Sequence, residues 1–406
     1  MSPSPSSSSS SWDLALRNFS SQWFLVSQGT GVLSLVLRNL NHQFKGLGVI
    51  SIIIWLYTCI IYLATLTFYL IRCYKYPKQV QSALRNDITE TAALSSISIT
   101  LSTIINMMCL VCVSAWGSPW GLIAYALTWI NILMASVACI GIPYVFLKLE
   151  HPGVKNITPV VLLPFIAALT AAAGAGVISV FAKISPNLQI PLIIISFILI
   201  GMAAPLTLAY DALYLARLFD GYSMPPRMIY QTFVLCGPPG QTSFALQVLG
   251  TAATNSFGSY GKGAFIQGAA GSVVGTCCIF CALMIWGYGL FFWCYAILAT
   301  IQALWGQDGG FRATKFSMSC WSVVFPWGVF TMSAIQFGKP TSLDSEAWAV
   351  WSTILAIVMF IIWLSFTVCT WRGIVTGELL GVRSWKARVV EDSDGLDTGP
   401  YPRWEE

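Results

Sequence analysis

The sequence predicts an all-α integral membrane protein with ten transmembrane helices, and three observations carry that prediction. Apolar residues make up 56 % of the 406 positions and charged residues only 9 %, where a soluble domain carries about 25 % charged residues. So few charges cannot cover a water-exposed surface of this size, which excludes a soluble enzyme, a nucleic-acid binder and a disordered chain. Apolar stretches that match a bilayer core, about 20 helical residues, recur along most of the chain. Lysine and arginine then fall mainly on alternate connections between those stretches.

Taken in order, residues 1–21 are Ser/Pro-rich and then polar. They lack the apolar stretch of a secretory signal and read as a disordered cytoplasmic tail. Apolar segments follow at 22–37, 46–71, 89–113, 120–147, 158–182, 188–216, 226–252, 264–304, 316–337 and 347–371. Together they form one transmembrane transporter domain over 22–371, with a cytoplasmic tail over 372–406. The segment 264–304 is long enough for one span or two. With one span there, sixteen of the 21 Lys and Arg share the side that holds both termini. Only Arg38, Lys45, Lys183, Lys262 and Lys339 lie opposite. With two spans the division becomes ten against eleven and the positive-inside bias is lost. The segment is therefore one long tilted helix, and both termini are cytoplasmic. The sequons at Asn18 and Asn156 fall on that side and are expected to carry no glycan.

Few residues are equipped for covalent chemistry. His42 and His151 are the two histidines, so histidine-based metal sites and catalytic triads have no material. The 12 cysteines mostly sit in apolar runs, as Cys277, Cys278 and Cys281 do, and read as buried thiols. No metal and no cofactor is expected.

Helix breakers are distributed unevenly. The first segment carries Gly29-Thr30-Gly31, and the fifth Pro159, Pro164 and a run of small residues over 171–176. The seventh has Cys236-Gly237-Pro238-Pro239-Gly240-Gln241-Thr242-Ser243, and the ninth Trp321 and Phe325-Pro326-Trp327-Gly328. Odd-numbered segments, the third excepted, thus hold most of the central irregularity. Irregular backbone is tolerated at membrane depth where it lines a cavity. The odd helices are therefore expected to form an inner ring around a path, with the even helices facing lipid. Gly237-Pro238-Pro239-Gly240 is expected to interrupt its helix in mid-membrane. Asp211 is the one carboxylate well within a span, and no acid pair or Asp/Glu/His relay accompanies it, which disfavours a proton-driven carrier. A path without fixed carboxylates does not repel anions. Helix-end N–H groups, hydroxyls and amides solvate an anion weakly enough for passage, and Arg227 and Lys315 near the cytoplasmic mouth would attract it.

These residues resemble a known family. Met224-Pro225-Pro226-Arg227 with Gly237-Pro238-Pro239-Gly240-Gln241-Thr242-Ser243-Phe244 is similar to the seventh helix of fungal sulfite efflux pumps. Lys315-Phe316-Ser317, Trp321 and Phe325-Pro326-Trp327-Gly328 resemble their ninth helix, and Trp23-Phe24 with Gly29-Thr30-Gly31 their first. Those pumps belong to the tellurite-resistance/dicarboxylate transporter family, with plant slow anion channels and the fungal malate permease. The resemblance extends over roughly residues 20–380. It implies five helical hairpins around a central pore, a homotrimer with one pore per subunit, and a phenylalanine on the ninth helix that plugs the pore. By motif position that residue is Phe325, with Phe330 as the alternative. Gly29, Gly31, Gly237, Pro238, Pro239 and Pro326 would line and shape the pore. Gln241, Thr242, Ser243 and Arg227 would contact the anion. The implied function is sulfite or bisulfite efflux across the plasma membrane. A malate or other C4-dicarboxylate permease and a general small-anion channel are the alternatives.

Overall fold

Every one of the ten apolar segments is helical in a computed structural model that describes residues 11–151, 153–305, 310 and 316–382. The α-helices are α1 (Ser11–Asn18), α2 (Phe24–Asn39), α3 (Leu47–Lys75), α4 (Pro77–Asn86), α5 (Ile88–Ala93), α6 (Ser95–Trp116) and α7 (Ser118–Val145). After them come α8 (Leu163–Phe181), α9 (Pro186–Phe219), α10 (Gly237–Tyr260), α11 (Gly268–Trp305), α12 (Val324–Phe337) and α13 (Glu346–Val375). No strand occurs among the described residues. The segment 264–304 is one helix of 38 residues, α11, as the charge distribution requires. The expected N-terminal tail contains α1, whose Leu16 is buried. Residues 1–10 and 383–406 of the expected tails lie outside the described residues.

Eight helical stretches are long and apolar enough to cross a membrane. Two further helices, α2 and α10, are not in that set. The first is only 16 residues long, and each carries a row of hydroxyl and amide side chains: Ser27, Gln28, Thr30 and Ser34, and Gln241, Thr242, Ser243 and Gln247. Yet these two are buried along almost their whole length. These two polar helices are thus inside, the reverse of a soluble protein and the arrangement that lipid enforces.

Burial separates the helices into two classes. The most apolar stretch of Pro159–Phe181 is 94 % buried, and that of Met318–Phe337 likewise, whereas that of Gly268–Trp305 is only 22 % buried. The inner class is α2, α6, α8, α10 and α12. They close a ring: α2 packs on α6, α6 on α8, α8 on α10, α10 on α12, and α12 back on α2. The outer class is α3, α7, α9, α11 and α13, each packed on the inner helix that precedes it. Contacts within the ring rise in step along both partners. Ser27 meets Thr100 and Gly31 meets Thr103; Gly237 meets Pro326 and Ser243 meets Ser333. The neighbouring inner helices therefore run parallel. Glycine at several of these contacts permits close approach, as expected where lipid offers no hydrophobic drive and association rests on packing.

Four of the five inner helices share an irregular start. Residues Ser21–Trp23, Pro159–Leu162, Pro226–Cys236 and Met318–Val323 are 3₁₀-helices that run directly into α2, α8, α10 and α12. Pro164, Pro238, Pro239 and Pro326 fall in the first turn of the α-helix that follows. There a missing N–H removes no intrahelical bond and the fixed φ suits a helix start. The expected interruption at Gly237-Pro238-Pro239-Gly240 is therefore a change of helix type with the backbone still wound. Below the ring, Glu90 on α5 is buried and ion-pairs with Arg72 of α3, while its carboxylate also accepts the Ser21 N–H at 2.9 Å. This ties α2, α3 and α5 together. Removing one partner of such a buried pair typically costs about 3–5 kcal/mol.

Candidate functional site

The interior of the five-helix ring is the place where side chains from five elements converge. Which residues face it follows from the contacts each inner helix makes, because successive side chains turn by about 100°. On α12, Pro326, Phe330 and Ser333 are turned to α10. A methyl group added at Gly240 would lie 2.9 Å from the Phe330 backbone, and the Ser243 and Ser333 hydroxyls are 2.6 Å apart. Val324 and Gly328 are turned to α2, against Gly29 and Val32. Trp327 points outward, donating from Nε1 to the Leu355 carbonyl of α13 at 3.0 Å. The remaining face, directed into the ring, carries Phe325, Val329, Met332 and Gln336. Phe325 is 2 % exposed.

Phe330 lies elsewhere. Its ring stacks on Trp286 of α11 with centroids 4.4 Å apart and planes 14° apart, and lies 5.8 Å from Trp293 at the same angle. Trp286 Nε1 donates to the Phe330 carbonyl at 3.3 Å. Phe330 is therefore packed toward the outer helix α11, away from the ring interior.

The same reasoning places the other lining residues. On α2, Ser27 and Gly31 meet α6, Gly29 and Val32 meet α12, and Thr30 accepts from Trp363 Nε1 of α13 at 3.1 Å. Gln28 occupies the inward face. It is buried, and its Oε1 has no hydrogen-bond partner among the described residues. On α6, Thr100 and Thr103 meet α2, and Ser102 donates to the Thr170 carbonyl of α8 at 3.1 Å. Ile99 and Asn106 lie between those contacts and face inward; Asn106 Oδ1 is also buried without a partner among the described residues. On α10, Gly240, Ser243 and Gln247 meet α12, while Val248 and Leu249 meet Gly176 of α8. Gln241 and Phe244 fall between them, on the inward face.

The residues singled out from sequence thus divide. Phe325 and Gln241 face the ring interior. Thr242 lies on the opposite side of α10. Ser243 is engaged by Ser333 and by the Ala282 carbonyl of α11 at 2.8 Å. Gly29, Gly31, Gly237 and Pro326 sit at contacts between inner helices, where an added methyl at Gly31 would overlap the Thr103 hydroxyl. Pro239 packs against Gly289 of α11, and Pro238 falls in the first turn of α10. Arg227 is exposed in the 3₁₀ segment that leads to α10. Lys315 lies outside the described residues. Sequence reading missed Gln28 and Asn106. The available signal was an amide inside an apolar stretch, one of them directly before Gly29.

Fixed charge stands outside this interior. Asp211 of α9 is buried but accepts from the Tyr288 hydroxyl of α11 at 3.2 Å, between two outer helices. The buried thiols are fewer than expected, since Cys277 and Cys281 are on the lipid-facing side of α11 and only Cys278 of that trio is buried. No cluster able to hold a metal ion occurs among the described residues. The interior therefore presents apolar side chains, the amides of Gln28, Asn106, Gln241 and Gln336, and two phenylalanines, Phe325 on α12 and Phe244 on α10. An amide offers N–H donors and no net charge. Five parallel helices also point their N-terminal ends, with their partial positive charge, to one mouth.

Comparison with known proteins gives this arrangement a family. The chain matches the voltage-dependent anion channel family over residues 18–371. It belongs to that family. A sulfite efflux pump of Arthroderma otae is 29 % identical over 368 residues, covering 90 % of this chain and 93 % of its own length. One from Trichophyton rubrum is 28 % identical over 353 residues, covering 86 % and 89 %. A malic acid transport protein of Schizosaccharomyces pombe is 20 % identical over 365 residues, covering 90 % and 80 %. The family is thus one of anion channels and transporters, and the relatives named move sulfite or malic acid.

Proposed function

We propose that the protein exports sulfite or bisulfite across the plasma membrane, through a pore inside the five-helix ring that Phe325 closes. The observation that carries this reading is the lining: the four inward amides of Gln28, Asn106, Gln241 and Gln336, the inward phenylalanines Phe325 and Phe244, and no acidic or basic side chain on the faces assigned above. The α2 and α10 helices complete ten spans as five hairpins, both termini are cytoplasmic, and the subunit assembles as a homotrimer. The sulfite pumps among the relatives support the substrate, and the lysine and arginine distribution supports the orientation.

The physics of export follows from charge. At an interior-negative potential of ~100 mV an anion gains ~2.3 kcal/mol on leaving. That sustains a gradient of roughly 50-fold with no coupled ion, since ~1.4 kcal/mol is tenfold. Anions collect at the mouth where the inner helices begin, because helix N-termini and the exposed Arg227 favour negative charge there. Inside, amide donors replace part of the hydration shell without binding so tightly that the ion is trapped. A dicarboxylate carries charge at both ends and would call for a basic side chain along the path, which favours the smaller oxoanion over malate. The test is flux in proteoliposomes with sulfite, malate, nitrate and chloride compared at one clamped potential. Sulfite should lead the series; malate in first place would shift the assignment to a dicarboxylate permease.

A further inference from the structure

A groove of about 340 Å³ lies away from the ring, between the outer helices α3 and α13. Its floor is made by Trp23 and Val26 at the start of α2 and by Trp321 in the 3₁₀ segment before α12. Ala64 of α3 and Trp371 of α13 form its walls, and Leu16 of α1 closes one end. Its surface is almost wholly carbon. Of its polar side chains, Thr65 donates to the Ile61 carbonyl at 2.9 Å and Thr370 to the Phe366 carbonyl at 2.7 Å. The Tyr57 hydroxyl accepts from Trp371 Nε1 at 3.0 Å. The Thr367 hydroxyl is buried without a partner among the described residues.

Three observations say what fills it. The flanking surfaces are lipid-facing: Leu56, Ile60 and Leu63 of α3 and Leu364 and Val368 of α13 are all exposed on helices of membrane-crossing length. The groove is therefore continuous with bilayer hydrocarbon. An apolar space of this size excludes water and accepts hydrocarbon. At its α1 end stand Arg17, 5.6 Å over the Tyr76 ring, and Lys75, 3.8 Å from Asp13. That end would meet a phosphate headgroup. α1 and the Phe19 that follows it cover the same end through aromatic contacts, with Trp12 edge-on to Phe68 at 5.7 Å and Phe19 stacked on Trp23 at 5.4 Å.

We infer that this groove holds one acyl chain of a bilayer phospholipid, and that the chain seated there braces the helix that carries Phe325. Trp321 is the link. It lines the groove, donates from Nε1 to Thr370 at 2.9 Å, and would lie 3.3 Å from a methyl group added at Gly29. It also stands one helical turn before Phe325. Filling or emptying the groove changes what Trp321 leans on, and so shifts α12 against α2. This second half rests on Phe325 as the gate; occupancy of the groove does not.

The test separates the two halves. In liposomes, a phosphatidylcholine with a diazirine on its acyl chain should label the peptides that contain Trp23 and Trp371. Ala64→Trp, which fills the groove from α3, should lower that labelling several-fold, and Ala15→Trp should do so from α1. Leu133→Trp on the lipid-facing side of α7 should leave it unchanged. Labelling of those peptides that is equal in wild type and in both groove variants overturns the site, as does preferential labelling by a diazirine sterol. Anion flux in Ala64→Trp should differ from wild type several-fold, and the difference should vanish when Phe325→Ala is added. An effect of Ala64→Trp that persists without Phe325 would leave the lipid site standing and remove the bracing role.

Discussion

The inner and outer helices are built from similar proportions of Leu, Ile, Val and Ala, yet they do opposite things. α11 shows lipid a surface of Phe280, Met284, Phe291 and Leu298 and buries little else than Trp286, Phe292 and small residues. α12 buries everything it has. What separates them is the minority of residues. Among the inner helices, α2, α8, α10 and α12 carry glycine at ring contacts, α8, α10 and α12 carry proline in the first α-turn, and α2, α6 and α10 carry hydroxyls and amides that lipid would reject. In a membrane the informative residues are the ones that do not belong in oil, because their presence marks the side that never meets it.

The sharpest break of this comparison lies within one helix, between two phenylalanines five positions apart. Phe325→Ala should raise anion conductance by an order of magnitude or more, because it removes the one aromatic ring on the inward face of α12 with little loss of packing between helices. Phe330→Ala should leave the closed pore closed and instead lower stability by about 3–5 kcal/mol, since it strips a ring stacked against two indoles. Single-channel recording and thermal unfolding in detergent check the pair. Equal conductance in Phe325→Ala and wild type would take Phe325 out of the gate.

Glycines offer the next contrast. Gly240→Ala places a methyl group 2.9 Å from the Phe330 backbone, where neither helix can yield cheaply. It should lower the melting temperature through an overpacking cost of about 1–3 kcal/mol. Gly287→Ala on outer α11 meets nothing within 4 Å, and should be neutral or stabilising by up to about 1 kcal/mol. Similar losses at both positions would mean that the ring contacts are not the tight ones.

Gln241→Leu should reduce flux several-fold and alter anion preference, while Thr242→Val on the far side of α10 should not. Flux ratios for sulfite and nitrate in each variant decide this. Gln28→Leu should behave as Gln241→Leu does.

The smallest expected effect concerns the other mouth. Lys339 follows α12, is half-buried, and donates to Asn39 Oδ1 at 3.2 Å. Burial lowers its pKa from 10.5 to about 8. It is charged below that value and neutral above it. Nitrate efflux should therefore decline modestly as external pH rises through about 8, and Lys339→Gln should flatten the profile. Nitrate is the proper probe, because its own charge is constant over this range. The sign for stability is the opposite of an ordinary ion pair. Between about 8 and 10.5 the unfolded chain holds the proton that the folded chain has lost, so stability should rise with pH in that window.

Much of this was legible in the sequence. Breakers on alternate segments marked α2, α8, α10 and α12 as inner. Charge placement made 264–304 a single helix. α6 was placed in the ring by alternation alone, because it has no internal proline; its own signal was Ser98, Thr100, Ser102, Thr103 and Asn106. Facing was not legible. Gln241, Thr242 and Ser243 are adjacent, and only contacts with α8, α11 and α12 tell which one looks inward. For the same reason only the contacts separate Phe325 from Phe330, which is packed toward α11. α1 was hidden because eight residues with one buried leucine do not stand out beside a serine run.

The central claim is that an anion crosses the ring under voltage alone, past Phe325. It is tested most directly by net sulfite movement from proteoliposomes holding equal sulfite concentrations and equal, strongly buffered pH on both sides. With the interior clamped negative, sulfite should leave against no concentration gradient, faster in Phe325→Ala, and it should not move at zero potential. No net movement under the clamp, or a Phe325→Ala rate no higher than that of wild type, would contradict the account.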